Sequence, residues 1–236
     1  MRHSKFALAA VIIGSFMICT SCNTIRGNGD LISSERMVSG FEKIDIVGSA
    51  NVRFHISQEY RVTVTADSNL IELVTTTVKN NTLNIGTERG SYSFTKLTVD
   101  VYSPILTGVS ITGSGSFDSD EKIATSVFEA EVTGSGKIKL IMESETFVSS
   151  ISGSGNVTIS GNNNDSNIEI SGSGIFNGNE FINNKAVVDI SGSGTANVFV
   201  TDNLNARVSG SGRINYHGNP SVVNTDVAGS GRINRL

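Results

Sequence analysis

The sequence predicts an all-β chain wound as a parallel β-helix, a solenoid with turns of about 19–21 residues. Two observations carry this. The tripeptide G-S-G begins at Gly113, Gly134, Gly153, Gly172, Gly192, Gly210 and Gly229, so the steps between copies are 21, 19, 19, 20, 18 and 19. Seven copies at a near-fixed period are the signature of stacked repeats, each one supersecondary unit. The second observation is alternation around every copy. Two positions before the first glycine stand Ile111, Val132, Ile151, Ile170, Ile190, Val208 and Val227, and four after it stand Phe117, Ile138, Val157, Phe176, Ala196, Ile214 and Ile233. All are apolar, and a sustained period of two is a half-buried strand rather than a helix.

Composition agrees. The chain has 236 residues, 17% of them charged against about 25% in ordinary globular chains, with 25 Gly and no Trp. A core of Val, Ile and Leu favours pleated strands. Upstream, I-R-G-N-G-D-L at Ile25 and I-V-G-S-A-N-V at Ile46 are weaker copies of the repeat, one repeat length apart. The stretch between Gly48 and Gly113 leaves room for about three turns without glycine corners. The expected domain therefore runs from 25 to 236 as one unit.

Residues 1–21 stand apart from this fold. Arg2, His3 and Lys5 precede an apolar run from Phe6 to Ile18, too short to span a bilayer and shaped like the core of a signal peptide. The run ends in I-C-T-S-C, which resembles a bacterial lipobox with Cys22 as the lipidated residue, although Cys19 stands where such boxes carry Leu. Residues 22–24 form the expected lipidated tether. Both cysteines lie in this segment, so the mature chain is expected to hold no disulfide and to use Cys22 as its anchor in the outer membrane. Removal of Arg2 and Lys5 takes the formal net charge from −4 to −6. An acidic mature chain argues against nucleic acid and against a polybasic membrane patch.

If the strand runs straight through G-S-G, both glycines face inward along with Ile151, Val157 and Ile159. The serines beside them then face out. Glycine in a strand costs about 0.5–1 kcal/mol, so repetition in every turn implies close approach of another wall, room for a bulky neighbour such as Phe128 or Phe147, or a bend with positive φ. A phosphate-binding loop is excluded by context, because no helix follows the glycines. The stretches N-N-N-D (162–165) and H-G-N-P (217–220) are expected at corners between strands.

The motifs F-E-K-I-D-I-V-G-S-A-N-V (41–52) and S-P-I-L-T-G-V-S-I-T-G-S-G (103–115), the G-S-G ladder, and G-R-I-N at 212–215 and 231–234 resemble the putative auto-transporter adhesin, head GIN domain family. That resemblance implies a right-handed parallel β-helix on exported or envelope proteins and a binding role with no named ligand. It carries no catalytic residues. A lipid at Cys22 would replace the membrane barrel of an auto-transporter.

The candidate binding face is a strip of small hydroxyls. Thr112, Thr133, Ser152, Ser171, Ser191 and Ser209 precede the repeats, and Ser114, Ser135, Ser154, Ser173, Ser193, Ser211 and Ser230 stand at their centres. Stacked at the strand spacing they would extend about 29 Å, long enough for a glycan or a host or cell-surface ligand. A third outward column reads Ser110, Glu131, Ser150, Glu169, Asp189, Arg207 and Asp226. It places Glu169 and Asp189 about 5 Å apart, the separation of a retaining glycosidase's carboxylates. With no aromatic platform, a charge ladder relieved by Arg207 is the plainer reading. No metal or cofactor is expected: His55 and His217 are distant in sequence, and Asp118–Glu121 and 162–165 lack calcium-loop spacing. The expected function is a non-enzymatic, lipid-anchored adhesion or surface-interaction module. The alternatives are a periplasmic structural or sensing accessory and a polysaccharide-active enzyme. The last turn, guarded by Arg232 and Arg235, is a candidate surface for self-association.

Overall fold

Repeated apolar alternation becomes, in a computed structural model describing residues 24–236, a ladder of parallel strands. The first half holds β1 (Ile25–Arg26), β2 (Leu31–Arg36), β3 (Lys43–Gly48), β4 (Asn51–Ile56), β5 (Arg61–Asp67), β6 (Val74–Lys79), β7 (Thr82–Thr87), β8 (Tyr92–Ser93), β9 (Leu97–Ser103) and β10 (Gly108–Gly113). The second half holds β11 (Ser116–Gly134), β12 (Lys137–Gly153), β13 (Asn156–Gly172), β14 (Ile175–Gly192), β15 (Thr195–Gly210), β16 (Arg213–His217), β17 (Val222–Gly229) and β18 (Arg232–Arg235). Strands make up 74% of the described residues, and the solenoid has about seven turns. The leader and Cys22 lie outside the described residues.

From β10 onward each rung pairs with the next in the register that the repeat implies. Ile111 lies beside Val132, then Ile151, Ile170, Ile190, Val208 and Val227. Each rung's apolar face is too small to be buried alone, but the stacked faces share one core. Aromatic rings thread it: Phe128 stacks on Phe147 at 6.4 Å, and Phe147 meets Phe181 edge-on at 5.3 Å.

The strand does not run straight through G-S-G. The first glycine of each copy has φ between +111° and +125° and forms a corner, so it does not point inward. Gly153 is in fact exposed. Only the second glycine faces the core. A Cβ on Gly155 would lie 2.4 Å from Val132 Cγ1, and one on Gly174 or Gly194 would meet Ile151 or Ile170 at 2.4 and 2.6 Å. The bulky neighbour is thus the β-branched residue of the preceding rung, not Phe128 or Phe147. These close contacts explain why glycine recurs at both positions. The repeated G-R-I-N follows from the same geometry. Gly212 packs on Ile190, Arg213 faces solvent, Ile214 is buried, and Asn215 donates to Asn197 at 2.8 Å. One rung later Asn234 donates to Asn215 at 3.1 Å, extending an amide ladder.

The N-terminal third departs from the expected turns. Gly48 is a true corner, with φ +109° and register with Gly113. The Ile25 copy is not a rung, because β1 pairs only with β8. Between Gly48 and Gly113 there are not three successive turns. Instead β7 and β9 lie beneath β3 and β4, so a later segment sits below an earlier one. Antiparallel pairing of β5 with β2 and β9, and of β6 with β7, closes that end of the core. The 162–165 stretch is also not a loop: it lies within β13, with Asn163 buried. At the opposite end, Val223 and Val227 are 39% and 43% exposed, whereas their partners Leu204 and Val208 one rung back are fully buried.

One buried carboxylate clips the N-terminal segment in place. Asp67 is inaccessible to solvent and accepts the N–H groups of Gly29 and Thr95, each at 2.8 Å. Burial pushes its pKa up, but those N–H groups and the Thr95 hydroxyl outweigh burial and hold it below the usual carboxylate value. A depressed folded pKa means that the stabilisation is complete above the unfolded value of about 3.9 and fades as pH falls through the folded one. Amide exchange at Gly29 and Thr95 is therefore expected to accelerate below about pH 4. In Asp67→Asn the exchange of these amides should no longer depend on pH beyond the intrinsic rate. An unchanged pH profile in that variant would refute the clip.

Candidate functional site

Side chains of a regular solenoid line up along its axis, so an outward position becomes a column. Thr112, Thr133, Ser152, Ser171, Ser191 and Ser209 are exposed and in register on consecutive rungs, continued by Val47 at one end and Ala228 at the other. The hydroxyl strip expected from the sequence is thus one physical column beside another. The central serines sit on the corner, each just after a positive-φ glycine. Their N–H groups bind the preceding rung's glycine carbonyl, as Ser154 does to Gly134 and Ser173 to Gly153, both at 2.8 Å. Ser114, Ser135, Ser193, Ser211 and Ser230 repeat that bond. With the backbone so engaged, the exposed hydroxyls remain available to solvent or ligand.

The neighbouring column forms as expected, with Glu131, Ser150, Glu169, Asp189, Arg207 and Asp226 in register. Arg207 does not relieve Asp189, however. Its guanidinium turns to Asp226 at 3.3 Å. Glu169 and Asp189 stand on adjacent rungs over a shallow recess of about 260 Å³, shared with Ser171, Ser191 and Ser209 and floored by Ile170 and Ile190. A second recess of about 380 Å³ lies on the same strand face nearer the cap, bordered by Asp45, Ser110, Thr112 and Glu131. The face is grooved rather than flat.

Sequence spacing did not reveal a polar cluster around His55. His55 stacks on Tyr102 at 4.7 Å, and its ring nitrogens approach Glu121 at 3.3 Å and Asp100 at 3.7 Å. Arg53 binds Asp100 at 2.7 Å, and Arg61 lies 3.9 Å above the Tyr102 ring. These groups join β4, β5 and β9 to β11, so the cluster ties the cap to the solenoid. The Asp118–Glu121 stretch is committed elsewhere than to calcium. Lys139 binds Asp120 at 2.9 Å and Asp118 at 3.7 Å, and Glu121 accepts the Ile56 N–H at 3.2 Å. Among the described residues no three His, Cys, Asp or Glu side chains group as metal ligands.

The fold is a parallel β-solenoid closed by an antiparallel cap, with side chains ordered in columns along it. The chain belongs to the family described as putative auto-transporter adhesin, head GIN domain, whose model matches residues 40–220. Solved structures share the architecture. A putative adhesin from Bacteroides fragilis matches with a TM-score of 0.86 and 24% identity, over 90% of this chain and 100% of its own. Two proteins of Parabacteroides distasonis each match at 26% identity and a TM-score of 0.75. One, a putative lipid binding protein, covers 90% of this chain and 99% of its own; the other, a putative adhesin, covers 91% and 100%. No protein of curated function matches the chain.

Proposed function

We propose that this protein is an exported, lipid-anchored surface-interaction module that docks an extended glycan of a cell or matrix surface along its strand face, without turnover. The observation that carries the reading is that face: two columns of exposed hydroxyls beside a mixed column of Ser, Glu, Asp and Arg, rung by rung, with two recesses along it. Membership in an adhesin family supports the surface role. The basic and apolar leader ending at Cys22 supports the anchor. One acyl chain gives only marginal membrane binding, so Cys22 is expected to carry several. Intact mass of the membrane-extracted protein checks this, and an unmodified N-terminus at another residue would overturn it.

Binding is tested with intact cells on glycan-coated surfaces. The double variant Ser171→Lys with Ser191→Lys is expected to lose capture while retaining the parent melting temperature. Capture unchanged by that variant would remove the strand face from the reading. Glu169 and Asp189 sustain one alternative, polysaccharide cleavage, because they share a recess on adjacent rungs, which lie about 4.8 Å apart. No aromatic ring lines that recess to hold a sugar, which favours binding without cleavage. Release of reducing ends by the parent, abolished in Glu169→Gln, would establish the enzyme instead.

A further inference from the structure

A larger recess lies away from the strand face, where β11 to β14 bend in mid-strand. It is an open groove of about 480 Å³. Glu143, Asn162 and Ile182 form one wall, in register on successive rungs. Glu145, Asn164 and Asn184 form the other, and all six side chains are exposed. Between the walls the backbone turns Ser144 and Asn163 inward, into a buried network that makes the floor rigid.

We infer that this groove is a second carbohydrate subsite, selective for neutral saccharides, an inference that rests on the glycan-binding reading above. Its chemistry favours such a ligand over others. Side-chain amides both donate and accept, and carboxylates accept twice, which matches the paired donor and acceptor character of adjacent sugar hydroxyls. Asn184 donates to Asn164 at 3.1 Å, so the amides are already oriented along the axis. Repetition at the rung spacing of about 4.8 Å presents these groups as a series along a chain of sugar units. Ile182, 41% exposed, offers an apolar patch to the C–H face of a ring where no aromatic stands.

Charge decides between sugar classes. Lys122 holds Glu143 at 2.6 Å and neutralises it. Glu145 has no ion-pair partner among the described residues. One net negative charge in the groove repels uronic and sialic acids while admitting neutral sugars.

The test uses the full mature protein in detergent on an array of neutral, amino and acidic oligosaccharides. The parent is compared with Glu145→Ala/Asn164→Ala in the groove and with Ser171→Lys/Ser191→Lys on the strand face. Loss of two ligand hydrogen bonds is expected to weaken neutral-saccharide binding roughly tenfold or more in the groove variant. Both substitutions are on exposed positions, so an unchanged melt confirms folding. Neutral-saccharide binding as tight in the groove variant as in the parent overturns the subsite. If the strand-face variant alone loses binding, the glycan-binding reading survives without the groove. A parent that binds no arrayed sugar sinks both.

Discussion

Replacing Gly155 by Leu is expected to lower the melting temperature by about 10 °C or more, whereas Ser154→Lys next to it should leave the melt within about 1 °C of the parent. The difference follows from the corner. Gly155 faces the core, and its Cβ would lie 2.4 Å from Val132 Cγ1 and 3.1 Å from the Gly136 carbonyl. The rungs cannot separate to make room, because Asn156 N–H binds that same carbonyl at 2.9 Å. Overpacking alone costs about 1–3 kcal/mol, and the two clashes here act together. Gly153→Ala separates packing from backbone strain. Gly153 is exposed, but at φ +111° its Cβ would sit 2.6 Å from the Gly134 carbonyl. Left-handed strain of that kind costs about 1–3 kcal/mol. The expected order of damage is Gly155→Leu, then Gly153→Ala, then Ser154→Lys. If Ser154→Lys proved the most harmful, Ser154 could not lie on an open corner.

Asn183→Leu should be nearly as damaging, by about 3–5 kcal/mol, although it places an apolar side chain of similar size in a buried position. Asn183 is fully buried. Its amide nitrogen donates to the Phe181 carbonyl at 2.8 Å and the Phe199 carbonyl at 3.1 Å, and its oxygen accepts from Asn163 at 3.2 Å and from the Ser166 hydroxyl. Ser144 completes the network by donating to Asn163 at 2.8 Å. Leu would break all four of the Asn183 bonds at once. Asn163 and Ser166 keep the 3.0 Å bond between them, but the side-chain amide is lost to the Phe181 and Phe199 carbonyls, and each unsatisfied buried group costs about 1–3 kcal/mol. Asn183→Asp gives an independent check. An ionised Asp cannot donate to two carbonyls, so burial raises its pKa above the unfolded value. That variant is destabilised at neutral pH and should recover stability as pH falls and the carboxyl protonates. Denaturant melts at pH 7 and pH 5 measure it. An Asp variant equally stable at both, or a Leu variant matching the parent, would show that the network contributes nothing to folding.

By itself the sequence determined the solenoid from Gly108 onward, its period and its columns. Stacking there joins each segment to the next in the chain, so the repeat period is also a contact map. Ile151 beside Ile170, and Ser152 beside Ser171, are legible because rung neighbours are repeat neighbours. The hydroxyl columns and the Glu169–Asp189 adjacency were readable for the same reason. Tertiary structure decided what that rule does not cover. The segment from Thr82 to Ser103 stacks beneath the earlier one from Lys43 to Ile56, an order that no fixed period encodes. His55, Tyr102 and Glu121 meet only because of that rearrangement. Asn163 was expected at a corner, and neither its polarity nor that of Asn183 signals burial. They are buried because partners on the same and on adjacent strands satisfy the amide groups, and the cross-strand part of that compensation exists only once the rungs are stacked. The corner at the first glycine was likewise beyond alternation, since a period of two describes an extended backbone and the positive φ that interrupts it is set by the close approach of the neighbouring rung.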